Sequence, residues 1–315
     1  MKKRILGKTG LEVTELCFGA LPFGPLQKNL PLEEATAVLD AALAGGVNFI
    51  DTAQGYKTYA PIREAIHKIK ERPVIATKSP AATYEEMQKA IDEALNELNV
   101  EEIDLFHLHA ARAGEDVFTK RRGALECLLD NKARGRIKAV GISTHSVKVT
   151  AKAATLDEID VVFPLLNRTG MGILEGNRAE MEKAIAQCVA AGKGVYLMKA
   201  LAGGSLVGDF ASALAYIRSV PGWAAVAIGM VSKAEVEYNL AYFEGRQPTT
   251  LPSLEAMEKR FLVVESLCAG CLKCVDTCPN HAIVEKDGKG FIQREKCLTC
   301  GYCMGECPQF AIRLV

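Results

Sequence analysis

Strand-like and helix-like patterns alternate along residues 16–243 of the 315-residue chain, and this alternation is the strongest constraint on its fold. Short apolar runs typical of buried strands occupy residues 16–21, 48–52, 74–78, 103–109, 137–143, 161–166, 194–199 and 224–228. Helix-like patterns lie between them at residues 32–44, 84–98, 123–133, 178–191, 210–219 and 233–243, with shorter ones at 61–70 and 147–154. Eight strands, each followed by a helix, predict an α/β fold of the (β/α)8 TIM-barrel type.

The alternative for the same local pattern is an open, doubly wound parallel sheet. Such a sheet often carries a G-x-G-x-x-G turn after its first strand, and none follows residues 16–21, so the barrel is favoured. Ahead of that strand, the turn Gly7-Lys8-Thr9-Gly10 between two apolar segments predicts a β-hairpin within residues 3–16. We assign residues 1–245 to the barrel.

Charge and hydropathy exclude several classes of protein. The chain has 38 basic and 38 acidic residues, and this balance argues against a nucleic-acid-binding protein, which usually has a basic excess. No run of about 18 apolar residues predicts a transmembrane helix, and the apolar segment of a signal peptide does not follow the basic start. We therefore expect a cytoplasmic protein without a nucleic-acid or membrane partner.

Eight of the eleven cysteines form two copies of the pattern C-x2-C-x2-C-x3-C-P near the end of the chain. The copies begin at Cys268 and Cys297, so the segment is an internal duplication. This pattern is typical of bacterial two-cluster ferredoxins, where three thiolates of a run bind one [4Fe–4S] cluster and the fourth binds the other. The predicted ligands are Cys268, Cys271, Cys274 and Cys307 for the first cluster and Cys297, Cys300, Cys303 and Cys278 for the second. Paired zinc sites are the alternative, but three cysteines per run followed by C-P favour two [4Fe–4S] clusters.

The cysteine-rich segment resembles a clostridial-type ferredoxin, with every ligand position filled. The resemblance implies a small ferredoxin-like α+β iron–sulfur domain, which we assign to residues 266–315. From Cys268 to the last residue there are five acidic and six basic side chains, so the segment lacks the acidity common in free ferredoxins and is interpreted as a fused module. Residues 246–265 are assigned to a linker followed by a helix over residues 253–265.

Four side chains at or near predicted strand ends suit one kind of chemistry. Asp51, Lys78 and His109 end the second, third and fourth strands, and Tyr56 lies on the loop after Asp51. In a (β/α)8 barrel the carboxyl ends of the strands meet at one mouth. A phenol can act as a general acid near neutral pH if its neighbours lower its pKa from about 10. We predict that the Lys78 ammonium lowers the pKa of Tyr56 and that Asp51 holds the lysine charged and in place.

A wider resemblance includes these residues, because residues 3–243 resemble an aldo/keto reductase. The matching pieces are the N-terminal hairpin, Asp51-Thr52-Ala53 with Tyr56, Ala76-Thr77-Lys78, Ile103-Asp104-Leu105 with His109, and residues 135–143 and 236–240. The resemblance implies hydride transfer between nicotinamide C4 and a small-molecule carbonyl substrate, with Tyr56 as the proton donor. Lys78 and Asp51 would then tune Tyr56, and His109 would orient the carbonyl. The Ser-Glu pair that follows the family's tyrosine is absent, so the resemblance does not identify the substrate.

The same resemblance implies which residues bind NAD(H) or NADP(H). Ser143 and Asn167 would hold the nicotinamide carboxamide; Gly203, Gly204 and Leu206 would lie along the pyrophosphate; Gly229 and Ser232 would lie near the adenosine phosphate, and Asn239 would contact adenine. NADPH-preferring members often carry a basic residue four positions before that asparagine, where this chain has Glu235. A carboxylate repels a 2′-phosphate, so NADH is predicted, although Lys233 is close enough to reverse the preference.

Other polar or reactive residues have structural interpretations. Tyr59 is a second phenol without the motif spacing, and His107 is expected to be a hydrogen-bonded histidine of the barrel core, one layer below His109. Lys199 ends the seventh strand and is expected to line the pocket, whereas Trp223 is expected to pack. The remaining cysteines are predicted to be small buried hydrophobes; they are Cys17, Cys127 and Cys188.

The two halves together suggest three functions. The leading hypothesis is a carbonyl reductase whose cluster segment carries electrons or docks a redox partner protein. The alternative is an electron-transfer protein, in which the barrel binds nicotinamide or a flavin and the clusters pass electrons to a partner. In the third, the clusters have a structural or sensory role only. Nicotinamide transfers a hydride, two electrons at once, whereas each cluster normally transfers one, so direct exchange between them is chemically awkward.

Overall fold

A computed structural model describes residues 1–25, 27–204, 206–247, 260–278, 281–297 and 302–315. An N-terminal hairpin of β1 (Lys3–Ile5) and β2 (Glu12–Thr14) precedes a closed barrel of eight parallel strands. The barrel strands are β3 (Leu16–Gly19), β4 (Phe49–Asp51), β5 (Val74–Ser79), β6 (Ile103–Ala110), β7 (Ile137–Thr144), β8 (Val161–Pro164), β9 (Gly194–Leu197) and β10 (Ala225–Gly229). They follow one another in chain order, and β10 closes the barrel by pairing with β3. Each predicted strand is present within two residues at either end, so the TIM barrel is confirmed and the open sheet is wrong.

The helices surround the barrel and begin and end close to the predicted positions. They are α1 (Leu32–Ala44), α2 (Tyr59–Ile66), α3 (Tyr84–Leu98), α4 (Val117–Lys120), α5 (Arg122–Ala133), α6 (Val147–Ala153), α7 (Arg178–Ala190), α8 (Phe210–Ser219) and α9 (Lys233–Glu244). Capping boxes at Thr83 and Asn177 satisfy the first backbone N–H groups of α3 and α7. The short helix α4 was not predicted. Helix α2 ends at Ile66 instead of residue 70, because residues 67–70 are exposed and add nothing to its buried face.

The hairpin closes the amino-terminal end of the barrel. Leu6, Leu11 and Val13 belong to the same buried cluster as the inward-facing strand residues Phe49 and Leu105. Gly7 has a φ of +58°, and a Cβ there would stand 2.1 Å from the backbone nitrogen of the first residue of β9. A glycine is therefore required at this contact. Because the hairpin covers this end of the barrel, the opposite end is the open mouth.

The C-terminal segment forms two antiparallel strand pairs with two short helices. These are β11 (Phe261–Val263), α10 (Lys273–Thr277), β12 (Ile283–Lys286), β13 (Lys289–Ile292), α11 (Tyr302–Glu306) and β14 (Ile312–Leu314); β11 pairs with β14, and β12 with β13. Of the helix predicted over residues 253–265, residues 253–259 lie outside the described residues. For the described residues that follow, the helix prediction is wrong, because residues 261–263 pair as a strand with a segment some 50 residues later.

The cysteine-rich segment packs against the carboxyl end of the barrel. Nη2 of Arg112, on the loop after β6, donates to the carbonyl oxygens of Leu267 at 2.7 Å and Gln309 at 3.3 Å. The ring of Phe310 lies so close to Gly172 that a Cβ on that glycine would stand 1.5 Å from it. The segment therefore forms part of the wall of the barrel mouth. Within the described residues, no helix combines the length and apolar character that crossing a membrane requires.

Candidate active site

Three neighbouring strands bring an acid, a lysine and a histidine to the barrel mouth. Asp51 is the last residue of β4, and Lys78 and His109 each lie one residue before the end of β5 and β6. Nζ of Lys78 donates to both carboxylate oxygens of Asp51, at 2.9 and 2.7 Å, and to the carbonyl oxygen of Thr52 at 2.7 Å. Both side chains of this ion pair are buried. Three acceptors thus hold the lysine in one position.

Tyr56 lies directly beside this ion pair. It ends a 3-10 turn, Gln54–Tyr56, that follows β4. Nζ of Lys78 is 4.9 Å from the centroid of the Tyr56 ring. The His109 ring stands edge-on to Tyr56, with 6.2 Å between the ring centroids. The four residues singled out in the sequence therefore meet at one place.

The pKa of Tyr56 depends on burial as well as on the charge of Lys78. Burial raises the pKa of Tyr56 above its ordinary value, and the charge of Lys78 opposes this effect without cancelling it. Lys78 acts in the predicted direction, but the net shift is upward because loss of hydration around the phenol outweighs one neighbouring ammonium. Burial also acts to lower the pKa of Lys78, but the charges of Asp51 and Tyr56 raise it above its usual value. At neutral pH the site thus holds a protonated phenol beside a charged lysine.

His109 is a neutral imidazole at this site. Burial lowers the pKa of His109 to about 3, and the charges of Lys78, Lys199 and Arg121 act in the same direction. A neutral imidazole has one N–H donor and one acceptor nitrogen, so it can donate a hydrogen bond to a carbonyl oxygen without adding charge.

A second buried phenol supports the ion pair from below, and the sequence reasoning missed it. The hydroxyl of Tyr196, in β9, donates to Oδ1 of Asp51 at 2.9 Å and is 2.7 Å from Nε2 of His107. His107 is fully buried, so its predicted role as a hydrogen-bonded core histidine is confirmed. The Tyr196 ring also stacks on Phe163, with 3.8 Å between centroids. The sequence feature that could have identified Tyr196 is its position as a lone tyrosine on the inward-facing side of an otherwise aliphatic strand.

The structural interpretations of the other residues agree with the structure. Tyr59 is fully buried, and its hydroxyl lies 2.8 Å from Oγ1 of Thr77, away from the mouth. The indole N–H of Trp223 donates to the carbonyl oxygen of Ile217 at 2.8 Å. All three barrel cysteines are buried, and burial raises their pKa values, to about 11 for Cys127 and about 12 for Cys188.

A cavity extends from Tyr56 across the mouth towards β10. Four residues predicted to contact the cofactor line this cavity together with Asp51, Tyr56 and Lys199; they are Gly203, Gly204, Gly229 and Glu235. Positive φ angles of 69° and 113° at Gly203 and Gly204 allow the backbone to turn tightly after β9. The predicted pocket position of Lys199 is thus confirmed.

The other predicted cofactor residues lie outside the cavity lining. Ser143 is fully buried and its Oγ has no hydrogen-bond partner among the described residues. Nδ2 of Asn167 donates to the Met171 carbonyl oxygen at 2.9 Å. Ser232 caps α9, which begins at Lys233. Nδ2 of Asn239 donates to the Glu235 carbonyl oxygen, while its Oδ1 has no partner in the described part of the chain. Leu206 follows the two glycines on the loop after β9.

The cysteine-rich segment contributes residues to the mouth that the sequence reasoning did not identify. Arg313, in β14, is 3% exposed and lines the cavity with Tyr56. The Phe310 ring lies under Nζ of Lys199, 3.7 Å from the ring centroid, and edge-on to His145 at 5.7 Å. These contacts join segments more than 100 residues apart in sequence, so no local pattern could have indicated them.

The division of the cysteines into two ligand sets stays a prediction. The described cysteines that pack in one cluster of the C-terminal segment are Cys268, Cys274, Cys278, Cys297, Cys303 and Cys307. Backbone N–H groups of Ala282 and Ala311 each donate to a cysteine sulfur at 3.3 Å, those of Cys278 and Cys307. Such donors are typical of cluster thiolates. Within the described ranges no group of His, Cys, Asp or Glu is arranged to hold a single metal ion. Cys300 lies outside the described residues.

Comparison with known proteins identifies both parts of the chain. The sequence model of the aldo/keto reductase family matches residues 15–212, and that of a 4Fe-4S dicluster domain matches residues 261–308. The chain belongs to the aldo/keto reductase family. It is a member with a C-terminal iron–sulfur domain, and it has oxidoreductases among its relatives.

Three relatives illustrate these likenesses. L-galactose dehydrogenase of Arabidopsis thaliana is 29% identical over 154 residues, covering 44% of this chain and 47% of the relative. One component of an ion-translocating oxidoreductase complex of Methanosarcina acetivorans is 46% identical over 52 residues, covering 16% of this chain and 20% of that protein. A solved structure from Pseudomonas aeruginosa, described as an aldo-keto reductase, superposes with a TM-score of 0.67 at 25% identity, covering 77% of this chain and 95% of that one. The chain spans 58% and 47% of the first two curated barrel relatives.

Proposed function

We propose that this aldo/keto reductase family member is a nicotinamide-dependent oxidoreductase that reduces a carbonyl, or oxidises the alcohol, with Tyr56 as proton donor. The observation that carries the proposal is the buried ion pair between Lys78 and Asp51, which lies against a protonated phenol. Neutral His109 stands edge-on to that phenol. This arrangement suits proton transfer to an oxygen that gains negative charge.

Each residue of the site has its own role in the proposed reaction. When bound, the reduced nicotinamide supplies a hydride to the carbonyl carbon. Tyr56 gives its proton to the carbonyl oxygen, so the product is an alcohol and the phenol becomes a phenolate. The Lys78 ammonium stabilises that phenolate until solvent returns the proton, and Asp51 keeps the ammonium in place. His109 donates a hydrogen bond that orients the carbonyl. In alcohol oxidation the phenolate accepts the proton.

The cavity supports a nicotinamide cofactor and favours NADH over NADPH. Gly203, Gly204 and Gly229, which are expected along the cofactor phosphates, line its wall. Glu235 also lines the cavity, and its Oε2 accepts a hydrogen bond from the backbone nitrogen of Val231 at 2.8 Å. A carboxylate held there repels a 2′-phosphate and can accept hydrogen bonds from ribose hydroxyls. We propose that Ser143, Asn167, Leu206, Ser232, Lys233 and Asn239 complete the cofactor site.

The second part of the proposal concerns the iron–sulfur domain, with boundaries near residues 245 and 266. We propose two [4Fe–4S] clusters with the predicted ligand sets. The packing of this domain on the barrel mouth supports a second candidate function, in which electrons pass between the first cluster and the barrel site or a redox partner protein. The observation that favours this second function is the contact of Phe310, three residues after Cys307, with Lys199 in the cavity. A cluster with only a structural role does not require that contact.

The test compares two phenols three residues apart. Tyr56→Phe should lower kcat/KM for carbonyl reduction by at least about a hundredfold, with the cofactor Kd nearly unchanged. Tyr59→Phe is the matched control and should retain activity, since its hydroxyl bonds only Thr77. An anaerobic carbonyl and cofactor screen should follow cluster absorbance in parallel. Full activity in Tyr56→Phe would contradict the proton-donor role, and bleaching of the clusters by NADH alone would support electron transfer.

A further inference from the structure

Two cations face the proposed proton donor across the same cavity. Arg313 reaches it from β14 of the iron–sulfur domain, and Lys199 reaches it from the end of β9. A Cβ at Gly203 would stand 2.8 Å from Nη1 of Arg313, so the guanidinium lies directly on the backbone of that glycine. Nζ of Lys199 lies over the ring of Phe310. The two cations therefore occupy fixed positions at the wall of the cavity.

Neither cation has an acidic partner among the residues that the structure describes. In the described part of the chain, the side chains of Arg313 and Lys199 form no ion pair and no hydrogen bond, and Nε of Arg313 is buried without a partner. Of the described residues, two with acidic side chains line the cavity, Asp51 and Glu235. Asp51 accepts from Lys78 and Tyr196, and Glu235 accepts from the backbone nitrogen of Val231. Burial of the Arg313 guanidinium without an ion-pair partner is costly, and an anion bound in the cavity would offset part of that cost.

The shifts in pKa agree with this account. Burial lowers the pKa of Arg313 to about 10. Burial, together with the charges of Arg313 and Arg112, lowers the pKa of Lys199 well below its ordinary value. An anion bound between Arg313 and Lys199 would favour the charged form of both.

We propose that Arg313 and Lys199 bind a carboxylate of the substrate, so that the substrate is a short oxo acid. The inference rests on the proposed function and deepens it. The carbonyl carbon gains the hydride, the carbonyl oxygen gains the proton of Tyr56, and the carboxylate is unchanged, so the product is the corresponding hydroxy acid. Because Arg313 belongs to the iron–sulfur domain, that domain completes the substrate site of the barrel.

The cofactor pyrophosphate is the other anion that could reach this wall, because Gly203 lies on its predicted path. The positions of the cations favour the substrate. Arg313 and Lys199 line the same cavity as Tyr56, the proposed proton donor to the carbonyl oxygen. The pyrophosphate is separated from the reacting nicotinamide carbon by a ribose.

The experiment compares each acid with its neutral methyl ester. Pyruvate and methyl pyruvate, and succinic semialdehyde and its methyl ester, are reduced anaerobically by the holoprotein, and the ratio of kcat/KM for acid over ester is measured. The wild type should prefer at least one acid by about tenfold or more. The ratio should fall towards one in Arg313→Leu and Lys199→Met and remain partly in Arg313→Lys. Cluster absorbance and iron content verify that each variant carries its clusters. Lys286→Gln, on an exposed strand of the same domain, is the matched control.

Two further measurements separate the outcomes. The cofactor Kd is measured for every variant, and a tenfold weakening in Arg313→Leu with an unchanged acid-to-ester ratio would assign the site to the pyrophosphate and overturn the proposal. Equal use of acids and esters by the wild type would overturn it as well, while leaving the proposed function in place. If no carbonyl is reduced at all, the proposed function fails, and calorimetry with pyruvate against methyl pyruvate still decides the anion site. Binding of pyruvate that Arg313→Leu abolishes supports it, and equal binding of both compounds contradicts it.

Discussion

The hydroxyl of Tyr196 donates a hydrogen bond to Oδ1 of Asp51 over 2.9 Å, across 145 residues of sequence. The same hydroxyl oxygen lies 2.7 Å from Nε2 of His107, so one phenol links a core histidine to the carboxylate that holds Lys78. A buried chain of polar groups thus runs beneath the candidate active site. Each group in this chain loses water on folding and depends on the next group for a hydrogen bond, so the removal of one group should lower the stability of the protein.

The first prediction concerns Tyr196→Phe. Removal of the hydroxyl leaves Nε2 of His107 without a partner and takes away one of the two hydrogen bonds that Oδ1 of Asp51 accepts, which should lower the free energy of unfolding by about 1–3 kcal/mol. Anaerobic urea unfolding followed by circular dichroism measures the change. Tyr216→Phe is the control, because its hydroxyl bonds Glu182 near the surface and water can replace it. Equal losses in the two variants would contradict a special role for the buried chain.

The second prediction concerns the ion pair itself. Lys78→Met leaves Asp51 buried without its cation and should destabilise the protein by about 3–5 kcal/mol, in addition to lowering activity. The double variant Asp51→Asn, Lys78→Met removes both charges and should recover a large part of the lost stability. The free energies of unfolding of the wild type, the two single variants and the double variant give the coupling energy. A double variant no more stable than Lys78→Met would show that the pair is not coupled.

The third prediction concerns pH. The pKa of His109 is lowered to about 3, so the imidazole is neutral throughout the range in which an ordinary histidine titrates. Protonation would require a fall in pH to that value, and kcat/KM for carbonyl reduction should therefore show no inflection between about pH 5 and 8. Steady-state rates across that range, within the stable range of the clusters, provide the measurement. An inflection near about pH 6.5 that His109→Gln removes would contradict the neutral imidazole.

The fourth prediction concerns the ligand sets of the clusters. Cys307 is assigned to the cluster of Cys268, Cys271 and Cys274, although it lies in the other cysteine run. The double variant Cys307→Ser, Cys271→Ser should therefore lose one cluster and retain about four of about eight irons. The double variant Cys307→Ser, Cys297→Ser should lose both clusters. Iron and sulfide assays with electron paramagnetic resonance of the reduced protein distinguish these results, with Cys127→Ser as the control. The reverse pattern would assign each cluster to its own run.

Much of the barrel could be predicted because its signals are local. Each buried parallel strand is a short apolar run, and each helix has its own periodicity, so all eight strands were identified within two residues. The positions of Asp51, Lys78 and His109 at successive strand ends were also sufficient to bring them together, since parallel strands in a barrel have their carboxyl ends at one mouth.

Long-range pairing explains the error in the C-terminal segment. Residues 261–263 were predicted to continue a helix, but they form β11, because β14 offers the backbone groups that a strand at this position requires. The partner strand lies at residues 312–314, far beyond any window in which periodicity can be read. Local propensity was weaker here than the pairing between distant segments.

The pKa of Tyr56 depended on burial, which no sequence pattern specifies. The effect of Lys78 on the phenol was predicted in the right direction, but the net shift is upward because desolvation outweighs the charge of Lys78. The sequence alone therefore determined the barrel, the duplicated cysteine pattern and the residues that carry the proposed chemistry. Only the tertiary structure brought Tyr196 beneath Asp51 and Arg313 to the cavity of Tyr56, because these contacts join distant segments whose meeting depends on how the whole chain packs.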